Sequence, residues 1–565
     1  EKADAFQTTS IPPSLWTHPS IALLLLFLLA TLIYSNAFSA SFQLDDTPNI
    51  IENPKIKHLS NFLDLSGSRY VGFLSFALNY HFGGLDVFGY HLVNLLIHIT
   101  NGFLVYSLVL LLFKASASGQ AQGPAPTDHG RNLLRPYAPF VALSTALLFI
   151  SHPLQTQAVT YIVQRFASLA ALFYLLTVVA YLNYRLARPE SRSRSLWYGM
   201  ALLSTILAMK TKENSFTLPL MILMIEAVFF RLLTRKPWTA LIPFLLTLPL
   251  IPFSHVDAVG EAEVGFAQET TEISRTSYLF TQFRVIITYI RLLFLPIHQN
   301  LDYDYPIYHS LLDPSVFFSF LFLLSLFGLA VYLLWQPRFF SDHSLLPTLY
   351  SPLIAFGILW FFLTLSVESS IIPIRDLIFE HRVYLPSVGF FLTVVVAAAM
   401  GLQVLKTKVH RMGFLSFIYN PIPITLFLLL ILLALSSATY QRNGIWKDNV
   451  TLWEDVVRKA PNKARGHTNL GVTYKRQGRW EETIREYQTA LHLQPGDAEA
   501  HSNLGVAYRE IGRLEEAGVS AFERFCQTQS PRPSRKVVVA NEGLELNAKL
   551  LAKESNMWVW EPADV

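Results

Sequence analysis

The sequence has a single cysteine, Cys526, among its 565 residues. One cysteine excludes an internal disulfide and any metal site built from cysteine ligands. Charged residues are also scarce, at 15% of the chain, whereas a soluble protein of this length carries about a quarter. The formal net charge of +4 is too small to indicate a nucleic-acid partner. We therefore expect no nucleic-acid binding and no disulfide framework.

Several catalytic motifs are missing as well. The chain has no His-Glu-x-x-His, no Walker loop, no Gly-x-Ser-x-Gly and no Gly-x-Gly-x-x-Gly. A zincin, a nucleotide-driven pump and a serine hydrolase of the usual kind therefore lack support. A transporter is harder to exclude, because charges inside a membrane also mark ion paths.

What the sequence does contain is apolar residues, at 52% of the chain, in runs of about 20. This pattern predicts a polytopic membrane protein with about eleven spans. The first run, about residues 21–40, is too long for a cleaved signal and reads as an uncleaved anchor. The segment 281–296 is interrupted by Arg284 and Arg291 on one helix face, which favours an interfacial or re-entrant helix.

The basic residues predict the orientation of these spans. With the N-terminus inside, every cytoplasmic loop is basic, as the positive-inside rule requires. The loop residues are Lys114, Arg131, Arg135, Arg185, Arg188, Arg192, Arg194, Arg231, Arg235, Lys236, Arg338, Lys406, Lys408 and Arg411. The odd number of spans places the C-terminal part outside, in the periplasm or the endoplasmic reticulum lumen.

Two adjacent carboxylates, Asp45 and Asp46, follow the first apolar run on the predicted outer face. Adjacent acids at a span end repel each other and lose hydration, so their site must supply a cation, hydrogen-bond donors or a proton. The pair is thus a candidate general base, metal ligand or phosphate-site acid. The alternative is a solvated turn, because Asp-Asp-x-Pro is good turn chemistry.

Other polar residues cluster on the second span and at the outer span ends. His91, Asn94, His98 and Asn101 share one helix face, which indicates either interhelical hydrogen bonds or the wall of a polar cavity. Cations at span ends can hold a phosphate, or can simply snorkel or cap helices. The candidate substrate and phosphate contacts are Arg165, Lys210, Lys212, Glu213, Arg375, Glu380, His381 and Arg382. The candidate supporting residues are His91, His152, Gln155, Gln164 and Tyr384.

The C-terminal part has an internal repeat. Asn469-Leu470-Gly471 with Tyr474 recurs as Asn503-Leu504-Gly505 with Tyr508, an offset of 503 − 469 = 34 residues. This is the tetratricopeptide (TPR) period, and we predict about two and a half repeats over residues 446–530. Such repeats form a concave groove that binds extended peptide, or else serve as a stability cap or oligomer contact. Residues 531–565 give no clear structural signal.

Taken together, the motifs resemble the transmembrane and tetratricopeptide-repeat O-mannosyltransferase family and its bacterial relatives. The matching residues are Phe42-x-x-Asp45-Asp46-x-Pro48-x-Ile50, Phe88-Gly89-Tyr90-His91-Leu92-Val93-Asn94, His152-Pro153-Leu154-Gln155, Lys212-Glu213-Asn214 and Glu380-His381-Arg382-x-Tyr384-Leu385-Pro386. The resemblance implies an all-α, GT-C-like membrane glycosyltransferase domain over residues 1–440. It implies transfer of a sugar, mannose in the eukaryotic members, from a polyprenyl- or dolichyl-phosphate carrier to Ser or Thr hydroxyls of a protein acceptor.

The same resemblance implies that Asp45 is the general base, that Asp46 assists it, and that the anomeric carbon is inverted. The lipid-phosphate sugar is then the donor, and a divalent metal is permitted by the acid pair. The chain departs from the family in having few repeats, which leaves acceptor selection open. Two other classes stay open: a non-catalytic membrane scaffold whose repeats recruit partners for envelope assembly, and a lipid-linked-sugar transporter.

Overall fold

The computed structural model describes residues 18–65, 67–120, 138–230, 238–252, 273–335, 345–410, 422–513, 516–520, 537–539 and 558–560. The chain divides into two compact units. The first comprises Glu1–Gln299 and Pro306–Gly444, and the second comprises Asn300–Tyr305 and Ile445–Val565. Of the basic loop residues named above, Arg131, Arg135, Arg231, Arg235, Lys236, Arg338 and Arg411 lie outside the described residues.

The first unit is helical. Its helices are α1 (Pro19–Ile33), α2 (Tyr70–Gly83), α3 (Val87–Gln120), α4 (Ala138–Ser151), α5 (Thr156–Val159), α6 (Arg165–Leu186), α7 (Arg192–Met209), α8 (Leu218–Ile225), α9 (Trp238–Leu245), α10 (Arg275–Phe294), α11 (Pro314–Trp335), α12 (Leu345–Leu365), α13 (Pro386–His410) and α14 (Ile422–Ile445). Short 3-10 turns, among them Pro153–Gln155, Ile162–Gln164, Glu213–Thr217 and Glu380–Val383, join several of these helices.

Fewer helices than predicted are long and apolar enough to span a membrane. Within the described residues there are 4, or up to 5 if the pair Ala138–Ser151 and Pro153–Val159, bent by 53°, is one span. Shorter apolar stretches of helix are Pro19–Ile33, Thr239–Pro252, Tyr350–Leu365 and Pro386–Leu402, of which the last two lie within α12 and α13. The chain is therefore an integral membrane protein, but the count of eleven spans is not confirmed, because apolar runs in sequence do not fix where a helix ends.

Helices α12 and α13 approach each other through two glycines. A Cβ atom on Gly357 would lie 2.6 Å from the carbonyl oxygen of Gly389, closer than real Cβ contacts come. The indole N–H of Trp360, on α12, donates to the Leu385 carbonyl at 3.0 Å just before α13. Small residues at a helix crossing allow this backbone contact, which is the main source of helix association in lipid.

We predict that Gly389→Val lowers the thermal stability of the membrane unit. The added side chain meets the backbone of α12, which cannot rotate away, so we expect a loss of about 3 kcal/mol. The matched control is Gly328→Val on α11, where a Cβ atom has no neighbour within 4 Å. Thermal unfolding of the purified variants in detergent measures both, and equal melting temperatures for the two would contradict the close contact.

The second unit contains the predicted repeats as α15 (Asn449–Lys459), α16 (Ala464–Arg476), α17 (Trp480–Leu493) and α18 (Ala498–Glu510). A Cβ atom on Gly471 would lie 2.6 Å from the ring of the fully buried Tyr487. The repeat therefore needs glycine where its two helices cross. Gly478 and Gly512 have φ of +70° and +81° at corresponding turns, a conformation that glycine adopts without strain.

Residues 300–305 belong to this second unit through Asp302, which is buried. Its carboxylate accepts from Arg465 at 2.7 Å and 2.6 Å and pairs with Lys463. Burial alone would raise the pKa of Asp302, but these two cations hold it below its ordinary value. In the C-terminal tail, strands β1 (Val537–Val539) and β2 (Trp558–Trp560) pair in parallel, an addition to the predicted all-α fold.

Candidate active site

The site is built around residues 152–164, the segment that links α4 to α6. All of them are buried except Gln164, which is half-buried. Asn94 on α3 donates to the Val159 and Ile162 carbonyls at 3.0 Å and 3.3 Å, which holds this segment against the bundle. The Oε1 atom of Gln157 accepts from the His381 backbone N–H at 2.6 Å. The segment therefore connects the loop that holds the acid pair with the loop before α13.

Asp46 lies at the bottom of a tight turn and is fully buried. Its Oδ2 atom accepts from the Gln43 backbone N–H at 2.8 Å, and its Oδ1 atom accepts from the Val163 N–H at 2.7 Å. Leu44, between them, has a φ of 39°, a left-handed conformation that is unfavourable for leucine. Asp46 thus fastens the turn to the linking segment and leaves no oxygen exposed.

Burial raises the pKa of Asp46 to about 8, against the pull of its two backbone donors and of Arg165. A carboxyl group whose pKa is higher in the folded chain binds more protons when folded, so stability falls as the pH rises towards 8. We predict that Asp46→Asn removes this slope. It should also cost about 1–3 kcal/mol, because the amide cannot accept from both N–H groups.

Denaturation of the purified chain on both sides of neutral pH measures this effect. Glu52→Gln is the control, because Glu52 is exposed in the same loop. A slope that survives in Asp46→Asn but disappears in Glu52→Gln would contradict the assignment.

Asp45 points the other way and is exposed. Its backbone N–H donates to the hydroxyl of the buried Tyr161 at 2.9 Å, which fixes the residue at the edge of the linking segment. Its charge is close enough to Arg69 to help raise the pKa of that guanidinium. The two acids therefore have different environments, and only Asp45 can meet a substrate directly.

Beside Asp45 lies a group of ionisable side chains that we call the charged cluster: Arg69, Lys212, Glu213, Glu368, His381 and Arg382. Arg69 donates to both carboxylate oxygens of Glu213, at 2.9 Å and 3.1 Å. Burial alone would raise the pKa of Glu213, but Arg69 lowers it to about 2. Lys212 pairs with Glu368 at 2.6 Å. Both carboxylates are thus occupied by cations from other parts of the chain.

The charged cluster has one positive charge more than it has negative charges. Among its own members, the three cations Arg69, Lys212 and Arg382 meet two carboxylates. Two carboxylates outside the cluster also act on these cations, Asp45 on Arg69 and Asp376 on Arg382. Burial and these three cations lower the pKa of His381 well below its ordinary value, so this imidazole is neutral at pH 7. The Nδ1 atom of His381 is buried and has no hydrogen-bond partner within the described residues. An anion bound here would supply an acceptor for His381 Nδ1 and would lie beside the three cations.

Arg165, another predicted phosphate contact, is fully buried and already enclosed by neutral acceptors. Its Nε atom donates to Asn94 Oδ1 at 2.6 Å, and its two terminal nitrogens donate to Asn79 Oδ1 at 2.6 Å and to the Tyr90 carbonyl at 2.9 Å. The guanidinium also lies 4.5 Å from the ring of Phe76. This geometry fits a residue that joins α2, α3 and α6.

The polar face of α3 makes interhelical hydrogen bonds, which was one of the two predicted alternatives. His91 donates to the Ala40 carbonyl at 2.8 Å, just before the acid pair. His98, at 2.7 Å, and Asn101, at 3.0 Å, both bond the hydroxyl of Tyr384. The polar face of α3 therefore holds the loop of the acid pair at Ala40 and the start of α13 at Tyr384.

The remaining predicted residues have diverse settings. His152 donates to the Leu293 carbonyl at 3.2 Å. Gln155 donates to Ser387 Oγ at 3.0 Å, and Glu380 accepts from Gln299 at 2.8 Å. Lys210 is half-buried and Arg375 is exposed; neither side chain has an ion-pair partner within the described residues. These two cations are free to meet a ligand.

A divalent metal remains compatible with the exposed Asp45. Within the parts of the chain that the structure describes, no three His, Cys, Asp or Glu side chains converge as metal ligands would.

Comparison with known proteins bears on both units. A family model described as a TPR repeat matches residues 473–512, which confirms the predicted repeats. The human protein O-mannosyl-transferase TMTC4 is 28% identical over 252 residues, covering 41% of this chain and 31% of the relative. A protein O-mannosyl-transferase of Caenorhabditis elegans is 24% identical over 481 residues, covering 80% and 59%. The resemblance to the O-mannosyl-transferase family is confirmed.

The Xenopus laevis protein O-mannosyl-transferase tmtc2 is 32% identical over 225 residues, covering 37% of this chain and 24% of the relative. The chain thus spans between 24% and 59% of the length of these O-mannosyl-transferases. Among solved structures, ArnT from Cupriavidus metallidurans bound to undecaprenyl phosphate has a TM-score of 0.39 and 12% identity, covering 95% of this chain and 85% of that chain.

Sequence analysis missed three residues that the structure places at the site: Arg69, Tyr161 and Glu368. Arg69 is one of several basic residues in the long loop before α2, and only the fold brings it to Glu213. Tyr161 lies between His152 and Arg165, two predicted site residues, and this position was the available signal. Glu368 follows α12 in an otherwise uncharged stretch, so an acid at a span end could have identified it.

Proposed function

We propose that the chain is a membrane glycosyltransferase that transfers a sugar from a polyprenyl- or dolichyl-phosphate carrier to a Ser or Thr hydroxyl of a protein. The observation that carries this proposal is the exposed Asp45 beside a cationic cluster with an unpartnered His381. Transfer of a phosphate-linked sugar needs both features. Cations stabilise the leaving phosphate, and a carboxylate takes the proton of the attacking alcohol.

In this mechanism the carrier phosphate binds the charged cluster. Lys212 and Arg382 contribute charge, and His381 Nδ1 donates in the tautomer that carries its proton there. The phosphate leaves with the electron pair of the anomeric C–O bond, and the cations stabilise that developing charge. Arg375 and Lys210 can reach the same headgroup from the rim, because neither has an ion-pair partner among the described residues.

Asp45 removes the proton of the acceptor hydroxyl as its oxygen attacks the anomeric carbon from the opposite face, so the configuration inverts. Asp46 does not touch substrate; it holds the turn that aims Asp45. The active site lies on the extracytoplasmic face with the N-terminus in the cytoplasm, as the basic loops predict. The TPR repeats bind the protein acceptor or a partner that presents it.

The test is product analysis by mass spectrometry. The purified chain is incubated with a polyprenyl-phosphate mannose and Ser- and Thr-containing peptides. We expect peptides heavier by one hexose, attached at a hydroxyl. If an intact donor binds the chain but no peptide, lipid or glycan acceptor gains a sugar, the proposal is wrong.

A further inference from the structure

The structure has a polar cavity of about 400 Å³ between α6, α7 and α9. Its lining residues are Tyr184, Pro189, Arg194, Ser195, Tyr198, Thr239 and Ala240. Helix α6 begins at Arg165, beside the candidate active site, and reaches this cavity after 22 residues. Twenty-two helical residues rise about 33 Å, close to the hydrocarbon thickness of a bilayer. The cavity therefore lies at the opposite membrane boundary from the acid pair.

The cavity presents a cation that is held in place by aromatic rings. The guanidinium of Arg194 stacks 4.8 Å from the centre of the Tyr184 ring. That ring packs against Tyr198 at 5.0 Å, and the Tyr198 hydroxyl donates to the Ala240 carbonyl at 3.0 Å. The Nε atom of Arg194 is buried without a hydrogen-bond partner within the described residues. Its orientation is thus fixed while its donors stay available.

The charge around the cavity is positive. Arg185, at the end of α6, is neutralised by the buried Glu226 at 2.6 Å. Arg194 has no such carboxylate partner within the described residues. The connection between α6 and α7 carries the exposed Arg188, Glu190 and Arg192, so with Arg194 its three cations outnumber its one acid. An anionic group that enters the cavity therefore meets an uncompensated guanidinium.

We propose that this cavity binds the phosphate headgroup of an anionic membrane phospholipid. A guanidinium fork matches phosphate oxygens, and tyrosine rings prefer the level of lipid headgroups. The hydroxyls of Ser195 and Thr239 are placed to meet the polar part of such a headgroup. The site is separate from the proposed transferase chemistry, so it stands or falls independently of it.

The test is lipid retention by the full chain in native mass spectrometry, with phosphatidylglycerol and phosphatidylcholine of the same acyl chains. We expect phosphatidylglycerol to be retained preferentially and Arg194→Gln to reduce its retention about tenfold, the effect of losing one charge-assisted hydrogen bond. Arg192→Gln is the comparison, because it removes the same charge from an exposed position on the same helix that does not line the cavity, and it should reduce retention less than Arg194→Gln does. Ser195→Glu should also reduce retention by repelling the phosphate.

Equal retention of both lipids, or unchanged retention in Arg194→Gln and Ser195→Glu, would overturn the proposal. Soluble glycerol phosphate distinguishes the two possible sources of the phosphate. If it displaces phosphatidylglycerol at an equal concentration, the cavity is a site for free phosphate esters and the lipid assignment is wrong.

Discussion

Asp45→Asn is expected to abolish sugar transfer, with a loss of about 10²–10⁴-fold in rate, the usual contribution of a general base. Asparagine keeps the size of the side chain and cannot accept the proton of the attacking hydroxyl. Asp45 is exposed, and its backbone N–H donates to the Tyr161 hydroxyl. The Asp45 carboxylate also hydrogen-bonds that hydroxyl, and the Oδ1 atom of asparagine can still accept from it, so the fold should be unaffected. Initial rates of peptide glycosylation and the melting temperature of the same preparation measure the two effects separately.

Glu52→Gln is the control for this variant, because it removes a carboxylate from an exposed position in the same loop. It should retain full activity. A fully active Asp45→Asn would rule out Asp45 as the base. If both aspartates tolerate alanine while deletion of residues 446–530 abolishes function, the chain is a scaffold that works through its repeats.

Composition and spacing alone did not distinguish Asp45 from Asp46; only the resemblance to the O-mannosyltransferase family made Asp45 the predicted base. Both acids follow the same apolar run, and either could have been the exposed one. The contact that distinguishes the two acids comes from Val163, which is distant in sequence. Its backbone N–H donates to Asp46 Oδ1 at 2.7 Å. Local turn chemistry predicted the loop. Only the tertiary contact shows that Asp46 is bonded within the fold while Asp45 stays exposed.

The repeats were predictable because their physical cause is local. Gly471 and Tyr487 lie in consecutive helices of one repeat, so the close contact between them is made by residues only 487 − 471 = 16 positions apart in the sequence. The membrane unit is different, because its site is made by pairs such as Lys212 with Glu368 and Arg69 with Glu213. Each partner in these pairs looks, in sequence, like any other charge at a span end.

The predicted count of eleven spans is not confirmed, for a related reason. Periodicity and hydropathy detect apolar segments, but helix length depends on where packing and hydrogen bonds end each helix. Pro19–Ile33, for example, is apolar and yet only 15 residues long, shorter than a typical span. Apolar segments of this length can be buried in a bundle, so their number exceeds the number of long spanning helices.

Replacement of Arg165 is expected to have the largest effect on folding. In Arg165→Leu the side-chain oxygens of Asn79 and Asn94 and the Tyr90 carbonyl all lose a donor in a buried place, at about 1–3 kcal/mol each. Arg165→Lys keeps the charge but cannot span three acceptors, because an ammonium places its donors at one point. We therefore expect both variants to unfold at clearly lower temperature or to accumulate poorly in the membrane.

Arg375→Leu provides the matched control, because Arg375 is exposed and has no ion-pair partner within the described residues. It should leave the melting temperature unchanged and, if Arg375 meets the carrier phosphate, raise the KM for the donor. The same two measurements decide the role of Arg165. An Arg165→Lys variant with an unchanged melting temperature and a raised donor KM would make Arg165 a phosphate ligand, as the sequence first suggested. A lower melting temperature with an unchanged KM in the folded fraction would make it the buried joint between α2, α3 and α6, because a residue whose donors are all occupied by the fold has none left for a substrate.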